Sequence, residues 1–326
     1  MQAPSTTSSR AELLCAGAAI ALAVALAFVA RGYQLFQATM VLSYAIALLG
    51  LNLLTGYNGQ ISLGHGAFYA VGAYATAILM EHGGVPYWLA IPAAAGVCLA
   101  AGYLFGRPAL KLEGLYLALA TFALGVAMPQ LLKYKHLEAW TGGVQGIVLT
   151  KPGAPFGLPL NEDQWFYLFS LLVAVAMFAI ARNLLRSGTG RAMRAIRDHA
   201  LAAEAMGVDN RHYKAMAFGV SAAYTGVGGA LSALAVQFVA PDSFTLFLSI
   251  SLLVGIVVGG VGTLYGAVFG AVFIMFVPSL AEQVSKAAPW AVYGAVLILC
   301  MFALPGGVVG LLRAVRTRLQ NASVQP

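Results

Sequence analysis

The sequence RNLLRSGTGRAMRAIRDHALAAEAMGVDNRHYK, residues 182–214, is the longest polar interruption in a chain that is otherwise almost entirely apolar. Seven of the chain's 18 Lys and Arg residues lie in it. Its apolar positions recur at helical spacing and form one stripe: Met193, Ile196, Ala200 and Ala203. The opposite face of the same helix carries charge: Arg191, Arg194 and Asp198. With Gly207 as its end, the stretch predicts a short amphipathic helix.

Two interpretations of this polar stretch follow from its charge. Basic loops are retained on the cytoplasmic side of a membrane, so the arginines could serve topology alone. An amphipathic helix between two membrane spans also needs a surface outside the bilayer on which its apolar stripe can dock. The second interpretation makes residues 182–214 a candidate contact with a cytoplasmic partner.

Composition places the chain in a membrane. Its 326 residues are 60% hydrophobic and 9% charged, whereas a soluble domain carries roughly 25% charged residues. The net charge of +7 lies between apolar segments, which indicates loops at a lipid surface rather than a nucleic-acid-binding face. The three cysteines lie in apolar segments with no disulfide or metal-ligand spacing.

A helix needs about 20 apolar residues to cross a bilayer. On that criterion we predict an all-α polytopic protein with about ten transmembrane helices. The predicted spans are 11–30, 36–55, 62–80, 86–106, 113–132, 164–182, 214–238, 244–261, 264–282 and 290–311. The Gly-rich segments 62–80 and 244–282 could be broken or re-entrant, which leaves nine to eleven spans open.

The distribution of Lys and Arg predicts the orientation. If the N-terminus is cytoplasmic, inner segments carry 13 of these residues and outer segments carry 5, so both termini are expected inside. The chain then divides into an N-terminal tail, 1–10, a transmembrane domain, 11–312, and a C-terminal tail, 313–326. The domain contains a cytoplasmic loop, 183–213, and an outer loop, 133–163. We take the first apolar run as a retained span rather than a cleaved signal.

Residues 56–74, GYNGQISLGHGAFYAVGAY, interrupt an apolar region with glycines and polar side chains. Non-helical backbone at membrane depth must be buried in protein or line a water-filled cavity. We therefore assign six residues to a translocation path: Gly56, Asn58, Gln60, Ser62, Gly64 and His65. The alternatives are that Asn58 and Gln60 end one helix and cap the next, and that His65 is a hydrogen-bonded core histidine.

Residues 140–146, WTGGVQG, predict a tight turn in the outer loop. Backbone amides exposed in such a turn can bind a carboxylate, so the turn is a candidate entry to the path, with a plain surface turn as the alternative. The candidate residues are Thr141, Gly142, Gly143 and Gln145.

The sequence contains no pattern typical of catalysis. A Ser/His/Asp set, HExxH, CxxC and paired intramembrane carboxylates are all missing, so we predict no catalytic residue and no metal site. Residues 259–266, GGVGTLYG, lack the Lys-Ser/Thr ending of a phosphate loop. We expect these glycines, like Gly102 and Gly106, to serve close helix packing. Since every Asp and Glu falls at a span edge or in a loop, the energy for transport is expected to come from elsewhere.

Several sequence blocks together resemble LivM-like permease subunits of branched-chain amino acid ABC importers, from about residue 41 to 312. The blocks are GYNGQISLGHGAFYAVGAY (56–74), LEGLYLALATFALG (112–125), WTGGVQG (140–146), GRAMRAIRDHALAAEAMGVDNRHYKAMAF (190–218), GGVGTLYGAVFGA (259–271) and FALPGGVVGLL (302–312). Within the fourth block, AAEAMGV (202–208) resembles the Glu-Ala-Ala…Gly loop with which importer permeases bind their ATPase.

The resemblance implies a type II importer-like permease in a bacterial inner membrane. It implies a homologous second permease, two cytoplasmic ATPases that bind the ATP and Mg, and a periplasmic solute-binding protein, with no cofactor in this chain. The implied ATPase-docking residues are Arg191, Met193, Arg194, Ile196, Arg197, Glu204 and Gly207. Met193 and Ile196 would form an apolar knob in a helix from 191 to 206, and Gly207 its turn.

Other functions remain open from the sequence. Relatives of the same class carry urea, short amides or aromatic compounds, and the solute is the least determined part of the prediction. A secondary carrier or passive channel is disfavoured by the missing midplane carboxylates. An intramembrane enzyme is disfavoured by the missing catalytic set.

Overall fold

The computed structural model describes residues 6–109, 112, 114–155, 159–284, 288–304 and 306–322. The α-helices are α1 Thr6–Val29, α2 Gly32–Asn52, α3 His65–Glu81, α4 Tyr87–Ala109, α5 Leu115–Leu132, α6 Glu138–Thr141, α7 Glu162–Arg186, α8 Gly188–Ala205, α9 Asn210–Val236, α10 Leu246–Gly259, α11 Gly266–Val284, α12 Pro289–Ala303 and α13 Gly307–Ala322. A π-helical turn, Leu53–Tyr57, extends α2, and a 3-10 turn, Pro241–Ser243, precedes α10. Two short strands, β1 Ile147–Val148 and β2 Phe238–Val239, pair antiparallel.

The prediction of an all-α polytopic protein is confirmed. Within the described ranges, eight helices are long and apolar enough to cross a membrane. The other two predicted spans, 11–30 and 62–80, correspond to the helices α1 and α3. The described apolar part of α1, Gly17–Val29, is short, and α3 has 17 residues.

The two predicted tails lie partly outside the described residues. Of the N-terminal tail, residues 6–10 belong to α1 and residues 1–5 are not described. At the other end, α13 runs across the predicted boundary at residue 312, and residues 323–326 are not described.

Helix α9 forms the centre of the bundle and packs against α2, α3 and α4. Small residues permit the close approach. A side chain at Gly72 of α3 would collide with the backbone of Gly226, and one at Gly229 would collide with Tyr69. Lipid tails provide little hydrophobic drive for helix association, so contact between backbones is how such helices pack. Gly102 of α4 likewise packs against α9, as predicted.

Two helix interruptions lie where the Gly-rich segments predict them. The first break, residues 56–64, comprises the end of the helical extension of α2 and the non-helical residues 59–64 before α3. The second break, residues 260–265, separates α10 from α11. Gly59, Gly260 and Gly262 have φ values of 77°, 124° and 72°, a region that residues with a Cβ rarely occupy. Helices α10 and α11 then fold back on each other, with Gly259 against Gly266.

Candidate functional site

The two breaks are in direct contact, and Asn52 holds them together. Its buried side-chain amide donates from Nδ2 to the carbonyl of Thr263 at 2.6 Å and accepts at Oδ1 from the backbone N of Gly262 at 2.8 Å. Gly56 lies against Gly262 with no room for a side chain between them. Sequence reasoning missed Asn52, although it is a polar residue in the apolar run LLGLNLL (48–54).

His65 lies in the protein core between two hydroxyl groups. Its Nδ1 is 2.8 Å from Ser62 Oγ and its Nε2 is 2.6 Å from Ser221 Oγ. Ser221 donates its own proton to the carbonyl of Gly50 at 2.6 Å, so Nε2 carries the hydrogen and Nδ1 accepts from Ser62. All polar atoms of the ring are satisfied. The structure therefore agrees with the alternative given for His65, a hydrogen-bonded core histidine, rather than with a residue that lines the path.

Asn58 and Gln60 differ from His65, because their side chains border a cavity. It has a volume of about 200 Å³ and its lining includes Gly59, Gly114, Ile196, Arg197 and Lys214. Asn58 is 2% exposed and Gln60 8% exposed. Both amide atoms of Asn58, and Nε2 of Gln60, find no hydrogen-bond partner in the described part of the chain. Because a buried unpaired polar group costs about 1–3 kcal/mol, these amides are candidates to bind water or a polar solute.

The apolar stripe of α8 faces the chain's own core. Met193 is 0% and Ile196 4% exposed, and Met193 packs in a cluster with Leu54, Phe68 and Phe218. The structure therefore places Met193 and Ile196, the expected apolar knob of the docking helix, inside the bundle. The helical periodicity identifies a buried face correctly, but the surface that covers it is the transmembrane bundle.

Three arginines of α8 bind backbone carbonyls of the same chain. Arg191 donates to the carbonyl of Arg186 at 3.3 Å, and Arg194 donates to that of Leu185 at 3.0 Å. Both carbonyls belong to the last turn of α7, where helix carbonyls lack partners and cations are stabilising. Arg197 reaches farther, because its Nη1 donates to the carbonyl of Gly56 at 2.9 Å. The amphipathic helix thus contacts the first break directly.

The exposed part of the α8–α9 corner carries two apolar side chains that the stripe does not include. Leu201 is 75% and Met206 86% exposed. Helix α8 is not continuous from 191 to 206, because His199 leaves helical geometry (φ −160°, ψ 96°). Glu204 is exposed, and Gly207 ends the element with a φ of 84°. We call Leu201, Glu204, Met206 and Gly207 the corner surface.

The predicted turn near residue 142 is present. Gly142 and Gly143 have φ values of 69° and 56°, and Gln145 is exposed. Thr141 is buried, and its Oγ1 lies 2.8 Å from the carbonyl of Leu132 and accepts from Gly143 N at 3.2 Å.

The two halves of the predicted path are not brought together. The turn lies beside the C-terminal end of α3, where His82 Nε2 donates to the carbonyl of Ala139 at 3.1 Å. His65 begins α3 at the opposite end, one helical turn before Phe68, which lies in a cluster with Met193 of α8. With 17 residues, α3 separates the two groups by about 25 Å.

This architecture, with apolar spanning helices, two helix breaks and an amphipathic helix seated on one of them, defines a multi-pass membrane permease. The chain belongs to the family described as "Branched-chain amino acid transport system / permease component", whose model matches residues 33–304.

Two relatives carry the name high-affinity branched-chain amino acid transport system permease protein LivM, one from Escherichia coli and one from Salmonella typhimurium. Each is 36% identical to this chain over 251 residues, which cover 70% of this chain. The match spans 59% of the length of each relative. No solved structure matches the chain.

Proposed function

We propose that the chain is the permease subunit of an ATP-driven importer of branched-chain amino acids and forms half of its translocation path. Family membership and the names of the two relatives support this function. The observation that carries it is the contact between α8, an amphipathic element between two spans, and the broken end of α2. A soluble motor that moves α8 would act directly on the bundle.

The partners follow from the same proposal. Two cytoplasmic ATPases bind and hydrolyse ATP with Mg, a homologous second permease completes the path, and a periplasmic protein delivers the solute. The complex resides in the bacterial inner membrane with α8 and both termini in the cytoplasm. The ATPase contacts the corner surface, since Leu201 and Met206 are exposed apolar side chains in the described part of the chain and exposed apolar groups mark interaction sites when they are clustered.

The path has an inner and an outer part. The inner part is the cavity beside Asn58 and Gln60, whose unpaired amides are suited to a polar solute. The outer part begins at the turn formed by Thr141, Gly142, Gly143 and Gln145. The missing midplane carboxylates agree with transport driven by separate ATPases rather than by coupled ions.

The test uses the complex assembled with its ATPases and second permease in liposomes, with the solute-binding protein inside or outside as orientation requires. ATP-dependent uptake of radiolabelled leucine is measured for the unaltered chain and for Leu201→Asp combined with Met206→Asp. We expect the double variant to insert normally, lose its ATPase and lose uptake. The matched control, Leu201→Met with Met206→Leu, keeps the surface apolar and is expected to retain both.

Uptake of leucine by the double aspartate variant at the unaltered rate would refute the docking role of the corner surface. Uptake of urea or a short amide in place of leucine, in the same vesicles, would assign the chain to another solute. Solute movement by the purified chain alone, without ATP, would refute the importer function altogether.

A further inference from the structure

We propose that Arg197 is a positioning residue that couples α8 to an inner gate, which we define as the two contacting breaks, residues 56–64 and 260–265. The inference rests on the proposed function, because it supplies the step between a motor outside the bilayer and the path inside it. It assigns to Arg197 a role different from contact with the ATPase.

The first observation is the bond that Arg197 makes at the end of α2. In an uninterrupted α-helix the N–H of Gln60 would serve the carbonyl of Gly56. Gln60 N instead donates to the carbonyl of Leu54 at 3.1 Å. The guanidinium of Arg197 donates to the Gly56 carbonyl at 2.9 Å. A side chain of α8 therefore donates to the Gly56 carbonyl in place of the backbone N–H of Gln60.

The second observation is the route of the side chain. A Cβ placed on Gly59 would stand 3.0 Å from Cγ of Arg197, and one on Gly262 would stand 3.7 Å from its Nη1. The side chain thus crosses the first break and ends beside the second. Asn52 binds the second break to α2. Arg197 therefore contacts two segments that are already bound to each other.

The third observation is the hinge beside Arg197. Its Nε and Nη2 lie 2.9 and 2.8 Å from Oδ1 of Asp198, and the backbone leaves helical geometry at the next residue, His199. The segment before His199 is seated in the bundle by Met193 and Ile196, whereas the segment after it carries the exposed Leu201. Force applied to the corner surface therefore reaches the chain at the Arg197–Asp198 pair.

The consequence concerns the cavity. Arg197, Asn58 and Gln60 all line it. Withdrawal of Arg197 from Gly56 would remove one side of the cavity and break the hydrogen bond that holds the first break to α8. Movement of α8 by the motor would then open the cavity and expose the unpaired amides. With Arg197 in place, the same residues stay buried.

The first experiment measures opening without requiring transport. In a chain whose three cysteines are replaced by alanine, Asn58→Cys is introduced and its rate of reaction with a membrane-impermeant methanethiosulfonate is measured in inside-out membrane vesicles. We expect Arg197→Ala to accelerate labelling roughly tenfold, since a hydrogen bond from a charged donor is worth at least that factor in an equilibrium. Arg197→Lys, which keeps a cationic donor, is expected to restore slow labelling in part.

The matched control is Arg186→Ala, because the side chain of Arg186 is exposed at the end of α7; its labelling rate is expected to equal that of the parent. Equal labelling in Arg197→Ala and in Arg186→Ala would overturn the proposal.

A variant that fails to fold is recognised by its elution profile in detergent, and Asp198→Asn then provides the second test. It replaces the carboxylate with a neutral amide and spares the Gly56 bond, so we expect slow labelling. Fast labelling would show that the Gly56 bond does not keep the cavity closed.

The second experiment measures coupling in the reconstituted complex. We expect Arg197→Ala to retain ATP hydrolysis within about twofold while leucine moved per ATP falls roughly tenfold. Equal losses of hydrolysis and uptake would contradict a positioning role and indicate lost docking. If the unaltered complex shows no ATP-driven uptake, the proposed function fails, whereas the labelling experiment still decides the inner gate.

Discussion

Two glycine-rich turns of this protein, residues 56–64 and residues 140–146, have similar compositions and opposite surroundings. In the first, Asn58 and Gln60 are buried beside a cavity, and both amide atoms of Asn58 and Nε2 of Gln60 have no hydrogen-bond partner among the described residues. In the second, Thr141 is satisfied by backbone groups and Gly146 packs against Val239 of β2. Composition alone makes both turns candidates for the path. The comparison shows that hydrogen-bond partners, rather than composition, distinguish a turn with unpaired polar groups from one whose polar groups are satisfied.

The largest expected effect comes from separating the two breaks. Gly56→Val would place its Cβ about 2.5 Å from the backbone N of Gly262, and overpacking of this kind costs typically 1–3 kcal/mol or more. We expect a loss of about 3 kcal/mol, measured as a lowered unfolding midpoint of the purified chain in detergent.

Gly153→Val is the control for that substitution. Gly153 lies in the loop before α7, and a Cβ added there would have nothing within 4 Å of it, so the unfolding midpoint is expected to stay unchanged. A similar midpoint for both variants would mean that the breaks are not in contact in the folded protein.

A smaller effect is expected when the contact is kept but its hydrogen bonds are removed. Asn52→Leu deprives Gly262 N and the carbonyl of Thr263 of their partner, and we expect a loss of about 2 kcal/mol from these buried groups. The same unfolding measurement checks it. Asn183→Leu, at an exposed position of α7, is the control. An Asn52→Leu protein as stable as that control would show that the second break needs no support from α2.

Much of this molecule is predictable from local sequence. The length of the apolar runs predicts the helices, and Gly59, Gly260 and Gly262 predict the breaks, because both features depend on neighbouring residues. The contacts of the site are not local. Arg197 is 141 positions from Gly56, and Asn52 is 211 positions from Thr263. Periodicity reveals the apolar stripe of α8 without revealing what covers it, which is why it assigns Met193 to a partner and overlooks Leu201.

A modest effect is expected at the second turn. Thr141→Val preserves the shape of the side chain and removes the hydroxyl that accepts from Gly143 N and reaches the carbonyl of Leu132. The loss is expected to be about 1 kcal/mol, the usual contribution of one hydrogen bond. Thr150→Val, at an exposed position in the same loop, is the control for the unfolding measurement. Equal unfolding midpoints for the two variants would mean that the Thr141 hydroxyl is bound by water rather than by backbone groups. The two turns would then differ less than the structure indicates.

The smallest change in stability, and the only one of opposite sign, is expected at Asn58. Because its buried amide has no partner in the described residues, Asn58→Leu removes an unmet desolvation cost and is expected to stabilise the chain by about 0.5–1 kcal/mol. Uptake by the assembled complex is expected to fall in the same variant, since the cavity loses the polar group that would bind solute or water. Asn58→Gln keeps an amide and is expected to retain more uptake. A destabilised Asn58→Leu protein would show that the amide is satisfied in the folded state, and the first turn would then resemble the second.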